Sequence, residues 1–429
     1  MQKLLVMCAL ATVAGAASAQ SRSLSAAVDT IRLSRRQAIA TALMTNPRLE
    51  IAREQTAQVR AQRVENNGLT DPAVTASYND ERSLFSTRTA NARTIGASLV
   101  VPFPDKFRLR NTIGVANIRT SEEQFRLTQQ LVAAQTARSY DSVLVTRQHR
   151  RDLTETRDLA RDFLTKTEAQ FAAGRVARLD VIRAQVGVAQ AENDLIANGR
   201  DVTIASAALN RVLGRPLGLP IAPTDSLVAP DQLPSLDLVE ARALASRPEL
   251  RQLEHQLHAA HANRQLTKEQ AFLPDFTLGA NRDFAQELGT LYTVGLAIPL
   301  PVFLWQHTRG DFAETRHREL ELIATIKDVR AAVGQDVRAS FSAADAAVRQ
   351  LNFLRDQLLP AAREAYRVAS VSYGLGRLSA LDVLDTRRTL VDAQRQYADA
   401  LAAASSALSD LERAAGVPLS TFDAGVPRE

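Results

Sequence analysis

Three histidines, His255, His258 and His261, stand three residues apart on what reads as one broad helix face, and imidazoles so spaced are candidate metal ligands. No carboxylate spacing completes a ligand set around them. They read as solvated helix residues, and neither a metal site nor a cofactor is expected. His149, His307 and His317 are isolated. Serine, histidine and aspartate occur without a nucleophile elbow, and there is no phosphate loop, so the sequence does not read as an enzyme. Asp180, Asp382 and Asp385 follow a glycine, Gly174 or Gly376, by six to nine residues. Carboxylates just after a turn either cap the next helix or present charge at its start.

The elements that hold these acids come in two copies. Phe171-Ala-Ala-Gly174-Arg175-Val-Ala-Arg-Leu179-Asp180-Val181-Ile182 recurs 202 positions later as Tyr373-Gly-Leu-Gly376-Arg377-Leu-Ser-Ala-Leu381-Asp382-Val383-Leu384. Leu209-Asn-Arg211-Val-Leu-Gly214-Arg-Pro216 recurs at the same offset as Leu411-Glu-Arg413-Ala-Ala-Gly416-Val-Pro418. Upstream, Asn46-Pro47 matches Arg247-Pro248, and Pro72 matches Pro274. The chain therefore divides into a first repeat over 33–219 and a second over 235–419, followed by a short tail over 420–429.

Each repeat opens with an amphipathic helix, over 34–66 and 237–270, which its Xaa-Pro step should kink or interrupt. Two short strands follow in each. Val74, Ala76 and Tyr78, then Ile95, Ala97, Leu99 and Val101, alternate with small or polar residues; so do Phe276, Leu278 and Ala280, then Tyr292, Val294, Leu296 and Ile298. Prolines bracket each strand pair: Pro72 with Pro102 and Pro104, and Pro274 with Pro299 and Pro301. Long helical tracts come next, over 105–173 and from about 312 to 373, with Pro360 expected to kink the second. Gly174 and Gly376 turn the chain, and return helices over 179–213 and 381–415 end at Gly214 and Gly416.

The 69 residues of the first tract make a helix of about 100 Å at ~1.5 Å per residue. The initial and return helices together match that length, which suggests that they stack end to end beside it. Leu179, Ile182, Val186, Ala189, Asn193 and Ile196 step by three and four, as in a coiled-coil seam. An ordinary surface stripe would give the same steps but not the matched lengths.

The chain has 429 residues and a net charge of +5, with its basic residues dispersed among acidic ones, so nucleic acid is not an expected partner. Lys3, the apolar run from Leu4 to Val13 and Ala17-Ser18-Ala19 form a secretory signal peptide over 1–19. The single cysteine, Cys8, lies inside that signal behind the bulky Met7, which argues against lipid attachment. Beyond the signal no apolar run is long enough for a membrane-spanning helix. Four strands cannot close a membrane barrel, which needs about eight, but three chains would bring twelve. Aromatic residues flank the strands at both ends, Tyr78, Phe85, Phe284 and Tyr292 on one side and Phe103, Phe107, Phe303 and Trp305 on the other, like two interfacial girdles. A small soluble β-subdomain packed on the helices is the alternative.

Together the leader, the doubled unit, the two Gly-containing turns and the Pro-bracketed hairpins resemble the TolC family of outer-membrane efflux ducts. Pro299-Leu300-Pro301-Val302-Phe303, with Arg309-Gly310 behind it, is similar to the heavy-metal (CzcC/CusC-like) branch. The resemblance implies a mainly α fold with a small β part. Long coiled helices would form a periplasmic tunnel, and four strands per chain would contribute to a trimeric twelve-stranded barrel in outer-membrane lipid. It implies a homotrimer that meets a periplasmic adaptor and an inner-membrane pump, of the RND type, and passively conducts metal cations or small drugs out of the cell. A periplasmic coiled-coil scaffold without a pore is the competing class.

By the same resemblance the two turns form a periplasmic tip and gate, built from Gly174, Arg175, Leu179, Asp180, Tyr373, Gly376, Arg377, Asp382 and Asp385. Val176, Ala177, Leu378, Ser379 and Ala380 would be exposed adaptor contacts. The bracketing prolines would mark the junction of barrel and tunnel. Leu378 stands where the family carries a gating arginine, and Arg377 is one place earlier. Repeated by threefold symmetry, Asp382 and Asp385 would become rings of charge that favour cations. Helix capping remains an alternative or additional role for Asp180 and Asp382.

Overall fold

The computed structural model describes residues 30–82, 89–226, 233–285, 289–299 and 304–419. The leader over 1–19, Phe85, Leu300, Pro301, Val302, Phe303 and the tail over 420–429 lie outside them, as do the side chains of Trp305 and His307.

The first half runs β1 (Ile31–Leu33), α1 (Arg35–Thr45), α2 (Pro47–Asn66), β2 (Ala73–Arg82), β3 (Thr89–Val101), α3 (Pro104–Ala172), α4 (Arg178–Val212) and β4 (Ile221–Pro223). The second runs α5 (Leu236–Ser246), α6 (Pro248–Phe272), β5 (Phe276–Ala285), β6 (Gly289–Ala297), α7 (Leu304–Phe353), α8 (Leu359–Gly374) and α9 (Ala380–Ala415). Among the described residues no helix is long and apolar enough to cross a membrane.

Local chemistry sets the helix ends. Ser34 and Gln37 form a reciprocal capping box before α1. Pro47 and Pro248 force the preceding Asn46 and Arg247 into extended backbone, ψ 123° and 122°, so each initial helix breaks in two at its Xaa-Pro step. Pro104 opens the 69-residue α3 at its first turn, where a missing N–H costs nothing. The second long tract begins at Leu304 rather than near 312, and Gly310 lies inside the helix. Its irregularity is a π-helical turn over Leu354–Leu358, just before Pro360. Leu359 N–H reaches back five residues to the Leu354 carbonyl, and the wider turn accommodates a proline that lacks its own donor.

Helices α1, α2 and α4 all pack along α3, and the end of α4 meets the α1–α2 break. Thr45 Oγ1 donates to the Leu213 carbonyl and Asn46 Nδ2 to the Val212 carbonyl, both at 2.8 Å. In the second half Ser246 Oγ donates to Ala415 O at 3.2 Å and Arg247 Nε to Ala414 O at 2.9 Å, at the end of α9. The expected end-to-end stacking is thus made through the residues that break the initial helices.

The stepped stripe on α4 does not pack where its spacing suggested. Leu179, Ile182, Val186 and Ile196 are exposed, and Ala184, Gly187, Ala191, Asn198 and Ala205 face the chain's own core. Small residues let α4 lie close, whereas the larger apolar stripe is left exposed among the described residues.

Strands β2, β3, β5 and β6 form one antiparallel sheet in that order, so the hairpins of both halves join through β3 and β5. The register puts Val74, Ala97, Ala280 and Val294 in one row across the sheet and Leu99, Leu278 and Leu296 in another, on one face. Thr94, Asn281, Asp283 and Thr293 belong to the opposite face, with Gly96, Gly279 and Gly295. A second, parallel pair of three-residue strands, β1 with β4, was not expected from the sequence. It is anchored by Tyr140, whose hydroxyl donates to the Leu33 carbonyl at 2.8 Å.

The core is a series of separate clusters along the helices. Leu49, Val132, Tyr140, Val143 and Leu209 make one, and Val239, Val337 and Leu411 its counterpart in the second half. Phe163, Tyr366, Tyr373, Val383 and Leu390 make a third, beside the two glycine turns.

Candidate functional site

Both turns close in the same way. Gly174 and Gly376 have φ of 70° and 72°, and open space surrounds the position of an added Cβ, so conformation rather than room demands glycine. Arg175 N–H donates to Gln170 O and Arg377 N–H to Ser372 O, both at 2.9 Å, the six-residue closure of a Schellman motif. Gln170 Nε2 donates to Tyr373 O at 2.9 Å and ties one turn to the other.

Tyr373 belongs to the core at this end. It is 2% exposed, its ring centre is 5.3 Å from that of Phe163, and its hydroxyl lies 3.3 Å from Thr167 Oγ1. Arg175, Ala177, Leu179, Arg377, Leu378 and Ser379 are exposed. Val176 is half-buried against the core. Ala380, expected among the exposed contacts, is only 5% exposed: as the first residue of α9 it packs inward with Val383.

The acids divide. Ser379 caps α9, and Asp382 completes the box: its Oδ2 accepts from Ser379 N at 3.0 Å and from Ser379 Oγ at 2.7 Å. These bonds, the hydroxyl first, hold the Asp382 carboxyl below its ordinary pKa. Asp180 does not cap. Ala177 is the N-cap of α4 and has no side chain for the task, while Asp180 pairs with Arg183 at 3.6 Å. Among the described residues Arg377 makes no ion pair, with Asp180 or with any other acid. Asp385 is exposed one turn beyond Asp382.

Two residues near this end were missed in the sequence. Along α9, Val383, Arg387, Leu390, Gln394, Tyr397 and Leu401 step by four and three, so Arg387 and Gln394 are polar residues in an apolar seam. Gln394 Oε1 accepts from Thr156 Oγ1 at 3.0 Å. The Arg387 guanidinium lies against Gly187, where an added Cβ would come within 2.5 Å of Nη2. Burial pulls its pKa down, opposed by the nearby Tyr366. The seam spacing was the available signal.

At the other end the prolines sit as strand punctuation. Pro72 precedes β2, Pro102 is buried behind β3, Pro104 starts α3, Pro274 precedes β5 and Pro299 follows β6. Beside them Lys106 Nζ, in the first turn of α3, contacts Asp275 Oδ1 at 2.6 Å and links the halves beneath the sheet. The histidines do not converge. His261 Nδ1 is 3.2 Å from Glu319 Oε1, and among the described residues no group of three His, Cys, Asp or Glu is placed to hold a metal ion.

The family model "Outer membrane efflux protein" matches residues 17–215 and 240–417. The pyoverdine export outer membrane protein OpmQ of Pseudomonas aeruginosa is 30% identical over 60% of this chain and 55% of its own length. The cobalt-zinc-cadmium resistance protein CzcC of Cupriavidus metallidurans is 26% identical over 66% and 68%. The chain thus spans about half to two thirds of the length of these relatives. A crystal structure of CusC superimposes with a TM-score of 0.75 at 20% identity, covering 90% of this chain and 93% of the other. A membrane protein from Pseudomonas aeruginosa gives 0.77 at 20% identity, covering 90% of each. Matched in both of its halves, the chain belongs to the outer membrane efflux protein family.

Proposed function

We propose that three copies of the chain close into a duct, with a twelve-stranded barrel in the outer membrane and a helical tunnel in the periplasm. The observation that carries this reading is the four-stranded sheet. Its outer strands β2 and β6 have no partner on their far sides among the described residues, and its apolar face is exposed, with Tyr292 69% and Val294 85% accessible. An open-edged sheet of this kind is a template for further strands. Repeating it three times removes the edges, puts the apolar face against lipid and encloses the Thr-, Asn- and Gly-bearing face as a wet lumen. The exposed α4 stripe gains a partner by the same operation.

Conduction through such a duct is passive. The glycine turns form the periplasmic end, where Asp382 and Asp385 ring the entrance and favour cations, and Arg175, Val176, Ala177, Leu378 and Ser379 meet an adaptor. An inner-membrane pump of the RND type supplies energy and selects the cargo. Relatives named for metal resistance and for pyoverdine export support both cation and small-molecule cargo.

Fractionation tests the reading. Heat-modifiable trimers in the outer membrane that conduct ions in planar bilayers are expected. A soluble periplasmic monomer would overturn the duct in favour of a scaffold without a pore.

A further inference from the structure

Two arginines stand on the apolar face of the sheet, near the end remote from the helices. Arg93 lies opposite Tyr78 on β2 and Phe284 on β5; Arg282 lies opposite Ile95 on β3 and Tyr292 on β6. None of these opposing positions carries charge. Both arginines are exposed, and among the described residues neither makes an ion pair.

Both guanidiniums lie over aromatic rings, within cation–π range. The Arg282 guanidinium carbon is 4.6 Å from the centre of Phe284 and 5.4 Å from that of Tyr292, and Arg93 is 5.8 Å from that of Tyr78. A guanidinium attracted to a ring face still has N–H groups left to donate. Among the described side chains the acid beside Arg282 is turned away: Asp283 lies on the opposite face, where Thr94 Oγ1 donates to Oδ1 at 2.5 Å and Thr293 Oγ1 to Oδ2 at 3.3 Å. Asp283 therefore does not neutralise Arg282.

An arginine on a lipid-facing surface is costly at the bilayer midplane and costs little near the interface. Arg282 stands six residues beyond Phe276, about 20 Å along the strand from the helical end. That places the pair with the loop-side aromatics, in the outer part of the sheet, from where a long arginine side chain reaches toward the headgroups. We propose that Arg93 and Arg282 form a binding site for the phosphate groups of an outer-leaflet glycolipid, which the fork grips while the rings pack against its sugar and upper acyl chains. The proposal rests on the duct reading, because only that orientation turns the loop end of the sheet toward the outer leaflet. Planar, charge-assisted and bidentate contacts suit phosphate, and the apolar surface below suits acyl chains.

The test uses the full-length trimer in detergent and native mass spectrometry with bisphosphorylated lipid A against the same lipid with both phosphates removed. The phosphorylated form is expected to bind about ten-fold tighter. Arg93→Gln with Arg282→Gln should abolish that preference while leaving trimers and conductance in place. Arg282→Lys keeps the charge, protects folding and should weaken the preference several-fold by removing the flat fork. Equal binding of the two lipids by the wild type would overturn the proposal, as would a preference that survives the double substitution. Equal retention of phosphatidylglycerol would overturn the assignment to glycolipid. Failure of the wild type to form outer-membrane trimers would instead overturn the duct reading.

Discussion

The Arg247 guanidinium donates from Nε to the Ala414 carbonyl at 2.9 Å, at the C-terminus of α9. Asn46 does the same for Val212 in the first half. In both repeats the residue before a proline ends one helix and closes the last turn of another. Carbonyls left open at a helix C-terminus carry partial negative charge, so a cation there is favourable. Arg247 is 6% exposed, and its charge is balanced by Asp336, which also binds Arg413 at 3.2 Å. Burial raises the Asp336 carboxyl, but hydrogen bonds from the two arginines outweigh it and its pKa falls below the ordinary value.

Arg247→Met should therefore destabilise the protein by about 2–4 kcal/mol, since it leaves carbonyls uncapped and Asp336 half paired. Asn46→Ala, which loses a neutral cap that also binds Arg48 N–H at 3.0 Å, should cost about 1–2 kcal/mol. Thermal melting of the trimer in detergent checks the order. Wild-type melting in Arg247→Met would show that the cap contributes nothing.

Ile182→Asp with Val186→Asp should leave the folded chain intact and prevent trimers, because both side chains are exposed in the single chain. Ala184→Leu, at a position with no exposure, should instead overpack the chain's own core by about 1–3 kcal/mol. Light scattering reads assembly and circular dichroism reads folding. Intact trimers in the double aspartate variant would refute the interface.

Gly376→Pro should abolish export from cells while trimers still insert. The substitution removes the N–H that bonds Tyr373 O at 2.9 Å and demands a negative φ. Gly376→Ala should cost about 1 kcal/mol and leave partial export. At Ala380 a charge would be buried, so Ala380→Asp should loosen the turn region itself. The cleaner probe of adaptor contact is Leu378→Asp, which is exposed. Unaltered export in Gly376→Pro would reject the placement of the gate.

Asp385→Asn should shift the reversal potential in a salt gradient toward zero without affecting stability, whereas Asp382→Asn should alter both. Because the folded Asp382 pKa is depressed, its contribution is fully present above the unfolded value of about 4 and is lost as pH falls through the folded one. Acid titration of melting should thus separate wild type from Ser379→Ala mainly above that window. Unchanged selectivity in Asp385→Asn would remove the charged ring from the mechanism.

Long tracts with hard punctuation were the most legible. Helix α3 was expected over 105–173 and occupies 104–172, since Pro104 starts it and the Gly174 turn follows it. The strand pairs were legible for the same reason, with prolines at their ends and period two between. Strands β1 and β4 were not, because three residues are too few to show a period. Spacing revealed the α4 stripe but could not name its partner: a heptad records that a seam exists and not which helix fills it. Ala380 was misplaced because it lies one residue past an exposed turn, where one step around the helix separates solvent from core. Arg387 is one arginine among many by composition, and only its heptad position sets it apart.

The separation of the core into clusters bears on how the molecule yields. Phe163, Tyr366 and Tyr373 belong to a different hydrophobic cluster from Tyr140, Leu209 and Leu411 among the described residues, so the glycine-turn end can come apart while the helix-stacking joints remain closed. Amide exchange should then be uneven, with hydrogens around Thr167 and Val383 replaced well before those around Val143 and Val337. The long helices would act as levers whose free ends fray and splay first, pivoting on two arginine- and asparagine-pinned collars that hold to the last.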